Sequence, residues 1–168
     1  SSNNQAPCEN SDCVLRPVYE CIDPIRNFPN ILVMCEVLNT SLKPHPTNNR
    51  AACVLESQRF EDQKPWFGME QEYTLYFDGR PLGWPQDEEP AEQGDYYCGR
   101  NSGESMVNEH MEACIQAGIS ICGINSEVML GQWEYQIGAS SPVEISDDVW
   151  VARWLMEKIA GAYDVTEI

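Results

Sequence analysis

The sequence predicts an α+β domain with a mostly antiparallel sheet flanked by helices. Segments of strand and helix character interleave without a repeated βαβ unit. No internal repeat and no clean boundary divides the 168 residues, a length that suits one domain or a large piece of one. Apolar residues make up 42% of the chain beside 22% charged, enough for a genuine core.

The elements follow in order. Residues 1–12, "SSNNQAPCENSD", read as a polar leader, disordered or tethered by disulfides, ahead of a domain over 13–168. "VLRPVYE" (14–20) and "ILVMCEVL" (31–38) are strands parted by the Pro- and Asn-rich "DPIRNFPN". After the loop "SLKPHPTNNR", the stretch "RAACVLESQRF" is a short helix. Pro65 opens a strand that the turn "DGR" (78–80) ends. "PQDEEPAEQGD" (85–95) is an acidic, exposed loop. "ESMVNEHMEACIQAG" has Val107, Met111 and Cys114 at helical spacing, with Gly118 as its stop. "ISICGINSEVM" and "QWEYQIGA" are strands. The final helix is expected to start at an N-cap Ser146, with Asp147 and Asp148 in its first turn, and to stop at Gly161.

Bulk properties exclude several functions. A net charge of −17 disfavours nucleic acid and anionic lipid, because phosphate binding needs clustered Lys and Arg. It suits divalent cations, a basic partner or plain solubility. No apolar run is long enough to span a membrane as a helix. The eight cysteines contain no CxxC pair, which argues against a zinc ribbon or a thioredoxin-type site. The cysteine count, the polar leader and the sequon Asn39-Thr40-Ser41 point to secretion, with a cytoplasmic location as the alternative.

The candidate chemistry lies in "PWFGMEQEYTLYFDGRPLGWP". On a strand, Glu70 and Glu72 share one face while Gln71 takes the other. A hairpin in "NSEVMLGQWEYQ" with Leu130-Gly131 as its loop residues places Glu127 directly opposite Glu134. Like charges facing across a ladder are destabilising, more so when buried. A proton offsets this, and a cation does so better. With Glu72 alongside, three carboxylates converge into a hard oxygen site for Mg²⁺ or Mn²⁺, or for Ca²⁺ if the ligands are numerous and loose. The competing reading leaves these acids on a wet face and an exposed edge.

The ordered motifs "PWFGMEQEYTL", "GRPLGWP", "YYCG", "GINSEVMLGQWEYQIG" and "VWVAR" resemble the first half of the catalytic domain of eukaryotic-type glutamine synthetase, from about Val14 to Ile168. The resemblance implies a curved antiparallel sheet flanked by helices, and ring assemblies with active sites between subunits. It implies synthesis of glutamine from glutamate, ammonia and ATP through a γ-glutamyl phosphate, assisted by Mg²⁺ or Mn²⁺. Carried over by position, Glu72, Glu127 and Glu134 hold one metal and Glu70 the second. Trp66 falls where the family lines its nucleotide pocket, with core packing as the alternative.

The same resemblance marks what these residues lack. The family continues past this point with the remaining metal ligands and the arginines for phosphate and carboxylate, and it begins with a small N-terminal domain. His45, in a proline-rich loop, and His110, expected on a surface-facing helix, are not read as substitutes. The acidic loop before "YYCG" would repel a polyphosphate. Cys8, Cys13, Cys21 and Cys122 look additional and suit two added bridges. Two readings follow. One is a shortened, non-catalytic binding or structural protein that keeps the carboxylate metal site, with no catalytic residue of its own. The other is a fragment of an active enzyme, for which ATP is a cofactor. Beyond the cation, self-association or another protein is the expected partner.

Overall fold

The computed structural model describes residues 11–85, 87 and 102–167. Most of the expected acidic loop, all of "YYCG" and most of the leader lie outside the described residues. Strand β1 (Val14–Ile22) pairs antiparallel with β2 (Ile31–Leu38). The register slips between Pro17 and Tyr19, at a proline that has no N–H to give the ladder. Asp23 closes the turn by accepting from the Ile25 and Arg26 amides (2.9 and 3.1 Å) and from the Arg26 guanidinium (2.7 Å). Burial works to raise the Asp23 carboxyl, but these donors outweigh it and hold it below the usual carboxylate range.

Helix α1 (Asn49–Arg59) is capped by Asn48, whose side chain accepts from the Ala51 amide at 3.1 Å. Strand β3 (Phe67–Phe77) then turns through Asp78 and Gly79 into the short β4 (Arg80–Pro81). Helix α2 (Glu104–Ala117), β5 (Ile121–Ser126), β6 (Gln132–Ser140), α3 (Pro142–Ala162) and β7 (Thr166–Glu167) complete the described chain. The larger sheet runs β4-β3-β6-β5, with β7 also on β3, and every described pairing is antiparallel. The expected α+β class holds, with two sheets among the described residues.

Alternation along β3 and β6 sends Tyr73, Leu75, Trp133, Tyr135 and Ile137 to one face, where all are buried. Helix α2 covers them with Met106, Val107 and Cys114, and α3 adds Ile145, Leu155 and Ile159. Each such side chain contributes about 1.5–3 kcal/mol by leaving water.

Helix α3 begins earlier than expected, at Pro142, with Ser141 as N-cap residue. Proline at the first helical position costs no hydrogen bond and presets φ, so Pro142, not Ser146, marks the start. Asp147 and Asp148 are therefore a turn inside the helix and buried. They serve tertiary contacts: Asp147 takes Arg50, and Asp148 accepts from Tyr19 Oη (3.2 Å) and the Ser120 amide (3.0 Å). The helix also runs past Gly161 to Ala162.

His110 is not on a surface face. It is 0% exposed between α2 and α3, its Nε2 2.9 Å from the Ala152 carbonyl and 3.3 Å from Cys114 Sγ. Burial lowers its pKa to about 4 from an ordinary 6.5. The unfolded chain thus takes up the proton first as pH falls. The contribution to stability is complete above pH 6.5 and is lost on descending toward 4. We expect a loss of roughly 3 kcal/mol over that window, at 1.36 kcal/mol per pKa unit. Urea unfolding of the chain and a His110→Asn variant across that range checks it; parallel profiles would remove His110 as the cause.

The six described cysteines, Cys13, Cys21, Cys35, Cys53, Cys114 and Cys122, are free thiols, so the expected bridges do not form among described residues. Cys8 and Cys98 lie outside them. Burial raises the Cys114 thiol to about 12, an inert packing role.

A carboxylate face as candidate metal centre

The face of β3, β6 and β5 opposite the helices is polar. Glu70 and Glu72 point there from β3, Gln132, Glu134 and Gln136 from β6, and Asn125 from β5. Across β3 and β6, Glu72 is the direct partner of Glu134, and Glu70 the partner of Gln136. Opposed residues on neighbouring strands have Cβ atoms about 4.5–5.5 Å apart. The two acids therefore face one another at short range.

The expected Glu127–Glu134 pairing is not the one formed. Glu134 faces Asn125, and Glu127 sits one pleat further along on the same side. The turn itself is where the sequence put it: Gln132 donates to the Met129 carbonyl at 3.1 Å, with Leu130 and Gly131 between and Gly131 at φ 80°. A turn with positive φ at its third residue splays the strands of a tight hairpin. The ladder accordingly closes lower down, where the Glu127 amide donates to the Gln132 carbonyl at 2.9 Å. The register moves by two residues, which keeps every side chain on its expected face.

The cluster survives this shift. The Glu127 carboxyl lies near enough to Glu134 and Glu72 to be affected by both. The Glu127 pKa is raised, first by burial, then by the neighbouring Glu134 carboxyl and the negative charge of Glu72. Glu134 is only 8% exposed although it lies on the open face. Amides occupy the spaces between these acids. Gln132 donates to Glu72 Oε2 (2.9 Å), Gln136 to Glu134 Oε1 and to Asn125 Oδ1 (2.5 Å), and Asn125 to Glu127 Oε1 (3.1 Å). With Glu72 turned toward Gln132, the described residues contain no ready-made group of three His, Cys, Asp or Glu ligands. The donor set still fits a hard divalent cation: carboxylate oxygens from neighbouring strands, already repelling, on side chains whose backbone positions are fixed by ladders.

Trp66 stands apart from this cluster. It is 77% exposed at the start of β3 and lines a shallow cleft with Lys64, Ser57 and Pro142, so it is not core packing. Gln132, Gln136 and Asn125 went unnoticed in the sequence, although the alternation in "QWEYQ" already places both glutamines beside Glu134.

Helices on one side of an antiparallel sheet and clustered carboxylates on the other define an α+β domain with a hard-oxygen face. In sequence the chain is similar to glutamine synthetases. It is 53% identical to glutamine synthetase of Streptomyces viridochromogenes, over 98% of this chain and 49% of that protein. It is 45% identical to that of Tuber borchii, over 98% of this chain and 48% of the relative. The chain thus spans about half the length of the curated relatives it matches. A solved GmaS/ADP complex shares the fold at a TM-score of 0.74 and 16% identity, over 97% of this chain and 38% of that one. No family model matches the chain.

Proposed function

We propose that this chain supplies the carboxylate wall of a divalent-cation site of the glutamine synthetase type, serving ATP-dependent ligation of ammonia to glutamate. Glu72, Glu127 and Glu134 are its ligands for one Mg²⁺ or Mn²⁺, and Glu70, one step along β3, faces a second. The direct opposition of Glu72 and Glu134 across the ladder carries this reading, with Glu127 on the same face and its carboxyl raised by both neighbours. A bound ion would neutralise charge developing on transferred phosphate oxygens. The chain's own acids set its position and its share of countercharge, and Trp66 offers an exposed ring on the nucleotide side.

The isolated 168-residue chain is proposed to bind the cation without making glutamine, since it spans only about half the length of the glutamine synthetases it resembles. A γ-glutamyl transferase assay on it is expected to give no turnover. Exposed apolar side chains such as Phe28 (88% exposed) and Leu15 (62%) suit a second copy or a protein partner. A secreted setting is a proposal that counting free thiols without reductant tests. Titration calorimetry with Mn²⁺ tests the site: one binding event is expected, weakened on the order of 100-fold or more in Glu127→Gln/Glu134→Gln. Equal binding by that variant would remove the metal reading.

A further inference from the structure

We propose that Gln136 and Asn125 form an amide bridge that positions the carboxylates of Glu127 and Glu134, with Gly123 as the floor that sets its orientation; this rests on the proposed metal-site reading. The bridge is continuous. Gln136 Nε2 donates both to Glu134 Oε1 and to Asn125 Oδ1 (2.5 Å), and Asn125 Nδ2 donates onward to Glu127 Oε1 (3.1 Å). One carboxylate is thereby joined to the other through two amides. Neither amide is a natural first choice for a hard cation already offered carboxylates, and both have their donors turned toward those acids.

The backbone reserves the place for this bridge. Gly123 is the cross-strand partner of Gln136. A Cβ at Gly123 would lie 2.5 Å from Gln136 Oε1, well inside contact distance. The amide oxygen of Gln136 thus rests over bare backbone, and its nitrogen is turned toward Glu134 and Asn125. No positive φ demands glycine at this position, so the space above it is the reason for the residue. A side chain there would meet the far end of a flexible glutamine and would displace the amide without breaking the strand.

Outer partners of metal ligands orient them, and their loss typically lowers metal affinity about 10–100-fold. The bridge makes two predictions with separate readouts. Without metal, the two Gln136 side-chain amide protons should be exchange-protected in NMR relative to those of the exposed Gln116, and Glu134→Gln should change their shifts. Rapid exchange, equal to Gln116, would overturn the bridge whether or not any cation binds. With Mn²⁺, Gln136→Leu and Gly123→Ala should each weaken binding about tenfold or more and alter the Mn²⁺/Mg²⁺ preference, at unchanged thermal midpoint without metal. If Glu134→Gln abolishes binding while both variants bind like the parent, the metal site stands and the bridge falls. If the parent binds no Mn²⁺, the site reading fails, and with it the positioning role.

Discussion

Replacing Gly131 with alanine is expected to lower the free energy of unfolding by about 3–5 kcal/mol and to weaken Mn²⁺ binding with it. Two costs add. Gly131 sits at φ 80°, where an L side chain costs roughly 1–2 kcal/mol. Its new Cβ would also meet backbone: the Leu82 carbonyl at 2.8 Å, the Leu82 nitrogen at 3.0 Å and the Leu75 carbonyl at 3.3 Å. Backbone atoms cannot swing aside as a side-chain end can. Here they are fixed by the Leu75 amide on the Gly131 carbonyl (2.8 Å), the Leu82 amide on the Leu75 carbonyl (2.7 Å) and Trp84 Nε1 on the Leu130 carbonyl (3.0 Å). Relief therefore means moving the loop away from 82–84, and that loop carries Glu127 at its foot. Gly118 supplies the control. It has the same φ of 80°, but nothing lies within 4 Å of its Cβ position. Alanine there should cost only the conformational part, about 1 kcal/mol. Urea unfolding of both variants decides between the two causes, and equal losses would show that the contact with 82–84 is immaterial.

The same turn shows how far the sequence could be read. Periodicity and turn residues located β2, α2 and β6 closely, because each is bounded by Gly, Pro or Asn and keeps one period throughout. Leu130-Gly131 was correctly placed at the centre of its turn. The pairing beyond it was not legible, since register depends on how the turn's twist meets the strands, and no residue type records that. Because the error was two residues, the facial assignment of Glu127 and Glu134 survived, and Glu72 found its partner on β6 directly. The start of α3 was misread for a different reason. Ser146-Asp147-Asp148 imitates an N-terminus, while its true purpose is visible only once Arg50, Tyr19 and Ser120 have been brought alongside by folding. His110 likewise hid its burial behind a polar identity; the neighbouring Val107 and Cys114 share its face, and α3 closes over all of them. The two-residue strands β4 and β7 carry too few residues to show any period, and exist because the far end of β3 has backbone groups to pair.

Arg50→Ala is expected to destabilise the chain by about 3–5 kcal/mol, far beyond what an ordinary ion pair yields. Arg50 holds Asp147 by two parallel bonds, from Nε and from an outer guanidinium nitrogen, each 2.8 Å. Asp147 is 3% exposed, so truncating Arg50 leaves a carboxylate in the interior with its countercharge gone. The effect spreads, because this pair ties α1 to α3 in a cleft that Glu36 also lines. Burial works to raise the Glu36 carboxyl, but hydrogen bonds from Asn48 and Arg16 and the charges of Arg16 and Arg50 hold it below the usual range. Losing Arg50 thus removes support from two buried acids. The expected signature is a stability deficit that shrinks as pH falls, since protonating Glu36 relieves the charge that Arg50 no longer offsets. The exposed Arg59–Glu56 pair, 3.6 Å apart, is the contrast: Arg59→Ala should change stability by less than about 1 kcal/mol. A double variant, Arg50→Met with Asp147→Leu, should recover most of the loss, because matched apolar groups replace a buried pair at little cost. If it is as unstable as Arg50→Ala alone, the stranded charge is not the reason, and the packing of α1 against α3 must carry the difference instead.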